Sequence, residues 1–378
     1  MLSIKVDHLK LKPVKMKLFQ RLYVTCSLIT LFMIMVTLNY QSLPMVLHSA
    51  SFEGKLISED IDTQNCTHSL ESNHDETVCP DDWTLSKNIW MMELNSSQTT
   101  LSAQNLCIIE SYAAKMPTWC VRFLLVSESP FGNPFQKNCY EAELRATLGD
   151  KLKNIAIHNV EIEEILNGSG IAPSERSFLS SRYKLTHISD VLRVVLPYKY
   201  GGMHSDTDAI LRRNLPQLES YLPFIARMPK SDEFRLYSSS FMAFPKGHPL
   251  LQMVVSKMFD GYYSFIYGSL LKIFYREISK YCINQCGVDP KTVKASTEEF
   301  KCCDVNILAD RGMCFEHGEK VRNNCSFYHY TSTFCSFKHA KRTIELTADN
   351  YTLAEIARDS CPITVERKRY FYNQCTYE

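Results

Sequence analysis

A charge imbalance is missing from this sequence: 42 lysines and arginines stand against 41 aspartates and glutamates, for a formal net charge of +1. Nothing in that balance attracts nucleic acid or an acidic polymer, and neither is expected as a partner. Three other absences narrow the field further. No Ala-x-Ala-like cleavage site follows the first apolar run, which argues against a removed signal peptide. No pair of Cys-x-x-Cys knuckles occurs, which argues against structural zinc. No internal repeat is present, which argues against a repeat architecture.

A membrane signal is present at the start. Leu22 to Leu38 is nearly unbroken apolar sequence, preceded by Lys5, Lys10, Lys12, Lys15, Lys17 and Arg21, with Asp7 alone opposing them. At about 1.5 Å per residue the run reaches roughly 25 Å, enough for a thin bilayer once its flanks are counted. The lysines predict a cytoplasmic tail over 1–21, a signal-anchor helix over 22–40 and a luminal remainder.

Cysteine usage agrees with that topology. Of fifteen cysteines, Cys26 lies in the apolar run and the other fourteen lie beyond it, where an oxidising lumen pairs them as disulfides. Nine crowd the last third, among them Cys282, Cys286, Cys302 and Cys303; spacing alone does not give their pairing. Asn-x-Ser/Thr sequons at Asn65, Asn95, Asn167, Asn324 and Asn350 suit a glycosylated luminal surface.

From about 41 to 87 the chain turns polar, without helical or alternating periodicity, and reads as a stem that Cys66 and Cys79 would staple locally. A globular domain is expected over 88–378. Its opening alternates strand and helix: strands at 89–94, 121–126 and 154–160, and a helix over 101–115. This pattern predicts an α/β domain whose parallel sheet is covered on both faces, with ligands at the carboxyl ends of the strands.

The most informative stretch runs from Ser189 to Asp208. His187 to Tyr200 reads as a helix with Ser189 as its N-cap, and Asp190 and Arg193 share one face. Pro197 interrupts that pattern, where a kink is expected. Gly201 and Gly202 end the helix and free the backbone to turn. Asp206 and Asp208 then follow at a period of two, which on a strand points both carboxylates to one side. An Asp-x-Asp pair alone says little, since Asp60-Ile61-Asp62 is another in the same chain. In this setting two carboxylates can hold a hard divalent cation that keeps positions open for substrate phosphates, which suits a nucleotide diphosphate. Paired-acid hydrolysis is the rival use, but it needs an acid and a base on either side of a sugar. A structural calcium site would need a denser oxygen cage than this segment offers.

These residues resemble a known family. Ser189-Asp190-x-x-Arg193, Tyr200-Gly201-Gly202 and Asp206-Thr207-Asp208, followed by Leu211 and Asn214-Leu215, look like the core of the α1,4-glycosyltransferases of the DXD sugar-binding type. Asn88 to Glu93, Glu110-Ser111-x-Ala113-Ala114, Phe241 to Phe244 and Cys361-Pro362 add to the likeness. The resemblance implies a type II Golgi membrane enzyme with a GT-A, Rossmann-like nucleotide-sugar-binding domain and a C-terminal elaboration. It implies dependence on Mn2+, retention of anomeric configuration, and transfer of Gal, GalNAc or GlcNAc from a UDP-sugar in α1,4-linkage to a galactose-terminated glycolipid or glycoprotein. Carried over by position, Asp206 and Asp208 would bind metal and diphosphate. Asp190, Arg193, Gly201 and Gly202 would belong to the donor site.

The chain also departs from the family pattern. His204 and Ser205 stand where the family has an aromatic and a bulky apolar residue before its Asp-x-Asp pair. The family's Gly-Pro segment appears as Gly268-Ser269-Leu270-Leu271, without the upstream His and Gln. The later His-containing segment survives as His329-Tyr330-Thr331, which leaves His329 as a candidate diphosphate contact. A member that has lost turnover and binds glycans or nucleotide sugars is the alternative reading. No nucleophile or base, donor sugar, acceptor or oligomeric state follows from the pattern.

Overall fold

A computed structural model describes residues 78–85, 87–94, 101–127, 134–149, 152–213, 222–227, 237–260, 262–266, 268–290, 300–308, 313–315, 327–329, 341–345, 352–368 and 370–374. All of them fall in the larger of two compact units, Asp60–Glu378. The expected cytoplasmic tail and signal-anchor lie outside the described residues, as do most of the stem and the sequons at Asn65, Asn95, Asn324 and Asn350. Among the described residues no helix is long and apolar enough to cross a membrane.

The opening strands form where apolar runs, and for the third an alternating pattern, predicted them: β1 Asn88–Leu94, β2 Cys120–Ser127 and β3 Ile155–Glu161. Helix α1, Ala103–Lys115, starts two residues inside the expected span because Ser102 caps it, its side chain accepting from the Asn105 amide at 3.0 Å. The helices α2 Pro134–Leu148, α3 Ile162–Leu166 and α4 Lys184–Tyr200 follow. Next come β4 Gly202–Ser205, β5 Ala209–Leu211, β6 Phe224–Arg227 and β7 Tyr237–Phe244. Two more helices, α5 Pro249–Lys257 and α6 Ser269–Cys286, lead to β8 Phe300–Cys302 and β9 Val305–Leu308.

The main sheet has eight strands in the order β3-β2-β1-β4-β7-β6-β9-β8. It is parallel from β3 to β4 and again between β6 and β9, whereas β7 runs antiparallel to both β4 and β6, and β8 antiparallel to β9. The expected parallel sheet is therefore a mixed one. Helices separate the parallel strands β1 to β4 along the chain, and α5 and α6 intervene between β7 and β8.

Side chains alternate across β1, so its two faces feed two cores. Ile89 and Met91 pack with Leu106, Ile109 and Tyr112 of α1. Trp90 and Met92 pack with Val191 and Val195 of α4 and with Phe274 and Ile278 of α6. Helices thus cover both faces, and every residue of β1 up to Met92 is buried.

Four disulfides tie the fold among the described residues. Cys79 bonds Cys120 at the start of β2, not Cys66 as the local staple had it. Trp83 packs 5.3 Å from Trp90 and 5.1 Å from Tyr200, so residues 78–85, read as stem, are fastened to the domain. Cys282 and Cys286, one turn apart on α6, bond Cys302 and Cys303 respectively. Cys107 of α1 bonds Cys361, directly before helix α8 Pro362–Arg367 and after α7 Thr352–Ser360. Three short strands, β10 Met313–Phe315, β11 Phe327–His329 and β5, form a small second sheet. β12 Lys341–Glu345 and β13 Tyr370–Gln374 pair antiparallel.

Candidate donor-binding site

The helix α4 and the strand β4 form an antiparallel hairpin joined at Gly201. Backbone geometry explains the glycines there. Gly201 has φ 76° and Gly202 has φ 106°, both in the range that favours glycine, and a Cβ on Gly202 would meet the Asn88 carbonyl oxygen at 2.3 Å. Trp90 Nε1 donates to the Gly201 carbonyl at 2.8 Å. The glycines let β4 lie against β1, but they sit at its amino end. Asp206 follows its carboxyl end, about 13 Å away at roughly 3.3 Å per residue. The geometry gives Gly201 and Gly202 a packing role at the amino end of β4.

The chain's hairpin geometry sets the amino-terminal turns of α4 beside the carboxyl end of β4. A cavity opens there, lined by Met92, Ser189, Arg193 and the run from His204 to Asp208. The helix begins at Lys184 with Tyr183 at its cap, so Ser189 stands inside it. Its hydroxyl instead accepts from Arg193 Nε at 3.2 Å, one turn on. Pro197 sits in the last turn, and the helix continues through it to Tyr200.

Arg193 is the centre of the arrangement. Nη1 donates to Ser239 Oγ of β7 at 3.1 Å, and Nη2 lies 3.1 Å from Asp206 Oδ1. The intrahelical partner expected for it, Asp190, is farther, with Oδ1 at 3.9 Å. Burial works against the guanidinium charge, but Asp206, Asp190 and Asp208 together hold it more firmly protonated than usual. Asp190 shows the opposite outcome: burial pushes its carboxyl up to about 7 against the pull of Arg193. Its Oδ2 is buried and has no hydrogen-bond partner among the described residues.

Asp206 and Asp208 follow β4 in a turn and are not on the strand itself. Burial would raise the Asp206 carboxyl, but Arg193 and a hydrogen bond from His204 Nε2 at 2.9 Å outweigh it, and the group stays ionised far below the usual range. The turn is braced from below by α1. Gln104 Nε2 donates to the Thr207 carbonyl at 3.2 Å, and the Leu211 amide donates to Ser111 Oγ at 3.1 Å. Tyr112 Oη meets Ser205 Oγ at 2.6 Å. The β5–β11 pairing sets the backbone of His329 opposite Ala209, the residue after Asp208. Asn167, the described sequon, is exposed at the end of α3.

Sequence reasoning missed the bonding role of His204 and the bracing by Gln104 and Tyr112. A signal for His204 existed, since it precedes Asp206 by two residues and period-two spacing puts both on one side of an extended chain.

The residues present fit a divalent cation of one kind. No group of three or more His, Cys, Asp or Glu side chains that could hold a metal occurs among the described residues. A closed, all-protein cage is therefore not what these residues build. Two carboxylates on one turn, with Asp206 held ionised, suit a cation that completes its shell with water and substrate phosphate.

Residues 102–225 match the family described as the glycosyltransferase sugar-binding region containing the DXD motif. The lactosylceramide 4-alpha-galactosyltransferase of Rattus norvegicus is 26% identical over 183 residues, 48% of this chain and 47% of that protein. The inositol phosphoceramide mannosyltransferase 3 of Schizosaccharomyces pombe (strain 972 / ATCC 24843) is 37% identical over 70 residues, 18% of each. A solved structure of the PaToxG glycosyltransferase is 18% identical, covers 53% of this chain and 70% of that one, and has a TM-score of 0.39, too low to carry the fold assignment. These matches support a glycosyltransferase, and the resemblance to the α1,4-glycosyltransferases stands with them. The chain spans about half the length of the lactosylceramide galactosyltransferase it matches.

Proposed function

We propose that this chain is a metal-dependent retaining glycosyltransferase of GT-A fold. It would transfer Gal, GalNAc or GlcNAc from a UDP-sugar in α1,4-linkage to a galactose-terminated glycolipid or glycoprotein. The observation that carries the reading is the Arg193–Asp206 contact of 3.1 Å, which joins α4 to the carboxylate turn at the carboxyl end of β4. Open α/β sheets bind their ligands at that end of their strands.

Asp206 and Asp208 would hold the cation, Mn2+ in this reading. When bound, it would offset the charge that gathers on the departing diphosphate. The chain's own part is to fix the site before donor arrives. Arg193 holds Asp206 ionised and adds a positive charge within reach of an anionic donor. Asp190, protonated for much of the time near neutral pH, offers a buried acceptor or donor to a ribose or sugar hydroxyl. The backbone pairing of β11 with β5 supports His329 as a contact on the diphosphate side. The GT-A assignment is supported by the run of parallel strands β3-β2-β1-β4 next to antiparallel β7.

The disulfides support an oxidising compartment, and with the apolar run Leu22–Leu38 they suit a single-pass Golgi protein with its catalytic domain in the lumen. The test is UDP release by the luminal region with Mn2+, across UDP-sugars and lactose-type acceptors, beside Asp208→Ala. Transfer that the substitution abolishes supports the reading. Transfer undiminished by it removes the metal site, and Mn2+-dependent UDP binding without transfer on any acceptor favours a protein that binds and does not turn over.

A further inference from the structure

His204 is 1% exposed and sits on β4 between two strands, in register with Trp90 of β1 on one side and Met242 of β7 on the other. Such a position normally takes an apolar side chain. An imidazole there is costly, and the cost is visible: its Nδ1 is buried without a hydrogen-bond partner among the described residues. An unmatched buried acceptor of this kind destabilises the fold. An aromatic hydrocarbon would fill the same space without that penalty.

What the imidazole does make is one bond, from Nε2 to Asp206 Oδ1 at 2.9 Å. Arg193 Nη2 reaches the same oxygen at 3.1 Å. Two donors from different elements, a strand and a helix, therefore fix one carboxylate oxygen. The imidazole Nε2–H reaches the carboxylate from the strand side and the guanidinium from the helix side, so the carboxylate oxygen is held between them.

We propose that His204 is a positioning residue for the carboxylate turn: its Nε2–H bond, with Arg193, sets the orientation in which Asp206 meets a divalent cation and a nucleoside diphosphate. This rests on the donor-site reading above. It goes beyond it by giving a role to the residue at which the chain leaves the family pattern. Groups that orient a metal-binding carboxylate usually change metal affinity 10- to 100-fold when removed.

The experiment compares wild type with His204→Phe, which keeps a buried ring and loses the donor, and His204→Gln, whose side-chain amide can reach Asp206. His204→Asn, too short to reach, serves if the Phe variant fails to fold. Mn2+ affinity is read from the electron paramagnetic resonance of free Mn2+, UDP affinity by calorimetry, and folding by thermal melts. The expected result is a Mn2+ affinity about 10- to 100-fold weaker in the Phe and Asn variants, with melting temperatures at or above wild type for Phe and affinity largely restored in Gln. A Phe or Asn variant that folds and binds Mn2+ as wild type does overturns the inference and makes His204 a packing residue. A wild type that takes up neither Mn2+ nor UDP overturns the donor-site reading and the role of His204 with it.

Discussion

Tyr112 Oη lies 2.6 Å from Ser205 Oγ, and Ser205 in turn donates to the Asp206 carbonyl at 3.2 Å. Burial pushes the phenol above its ordinary range, so it stays protonated and acts as the donor to Ser205. The relay connects α1 to the backbone of the carboxylate turn. Tyr112→Phe should cost about 1–2 kcal/mol of stability, because the buried Ser205 hydroxyl loses its donor. Thermal melts of the two proteins measure it.

Arg193→Met should cost on the order of 2–4 kcal/mol, somewhat less than a fully buried pair, because it strips the partner from Asp206 while part of the side chain is solvated. Asp190→Asn should stay within about 1 kcal/mol of wild type, since that carboxyl is already close to half protonated at neutral pH. Urea unfolding of both variants checks the contrast, and equal losses would mean that Asp190 is the main partner of Arg193.

Gly202→Ala should destabilise by several kcal/mol. The new Cβ meets the Asn88 carbonyl oxygen at 2.3 Å, and φ 106° is strained for any L side chain. The reading of this glycine as packing, not donor-binding, is tested at the same time: whatever Gly202→Ala protein stays folded should bind UDP as wild type does.

His158 supplies a pH dependence away from the site. Burial, helped by the charges of Arg122 and Lys137, pulls its imidazole from 6.5 down to about 4, and Arg122 Nη1 donates to its Nε2 at 2.9 Å. The folded state thus binds the proton less readily than the unfolded chain does. Stability from this group is complete above about pH 6.5 and is lost as pH falls toward 4. Melting temperatures from pH 7.5 to 4.5 should fall more steeply in wild type than in His158→Gln, and parallel curves would contradict the assignment.

The sequence was most legible where one signal dominated. Apolar runs located β1 and β2 because those strands are buried on both faces over most of their length, whereas the edge strand β3 showed only as alternation, and apolar spacing located α1 to within two residues of its start. The cavity's main carboxylates and Arg193 were legible as a spaced set. Their partnership was not: spacing joined Arg193 to Asp190 within one helix, whereas the hairpin at Gly201 brings Asp206, thirteen positions away, closer. Period two suggested a strand through Asp206 and Asp208, yet β4 ends at Ser205, where Asp206 turns to bond the Ser240 carbonyl through its amide at 3.2 Å. The antiparallel entry of β7 and the bond between Cys79 and Cys120 depend on contacts between distant segments, which no local pattern encodes. His204 looked like a departure from a family pattern until its nitrogen was seen facing the carboxylate.

In the proposed reading Asp206 and Asp208 share a cation with a nucleoside diphosphate. Calorimetric titration of UDP into the protein, with and without Mn2+ and beside Asp208→Asn, is the decisive measurement. UDP affinity should be at least about tenfold higher with Mn2+, Mn2+ affinity reciprocally higher with UDP, and both effects lost in the variant. UDP binding of equal strength with and without Mn2+, unchanged by Asp208→Asn, would contradict it.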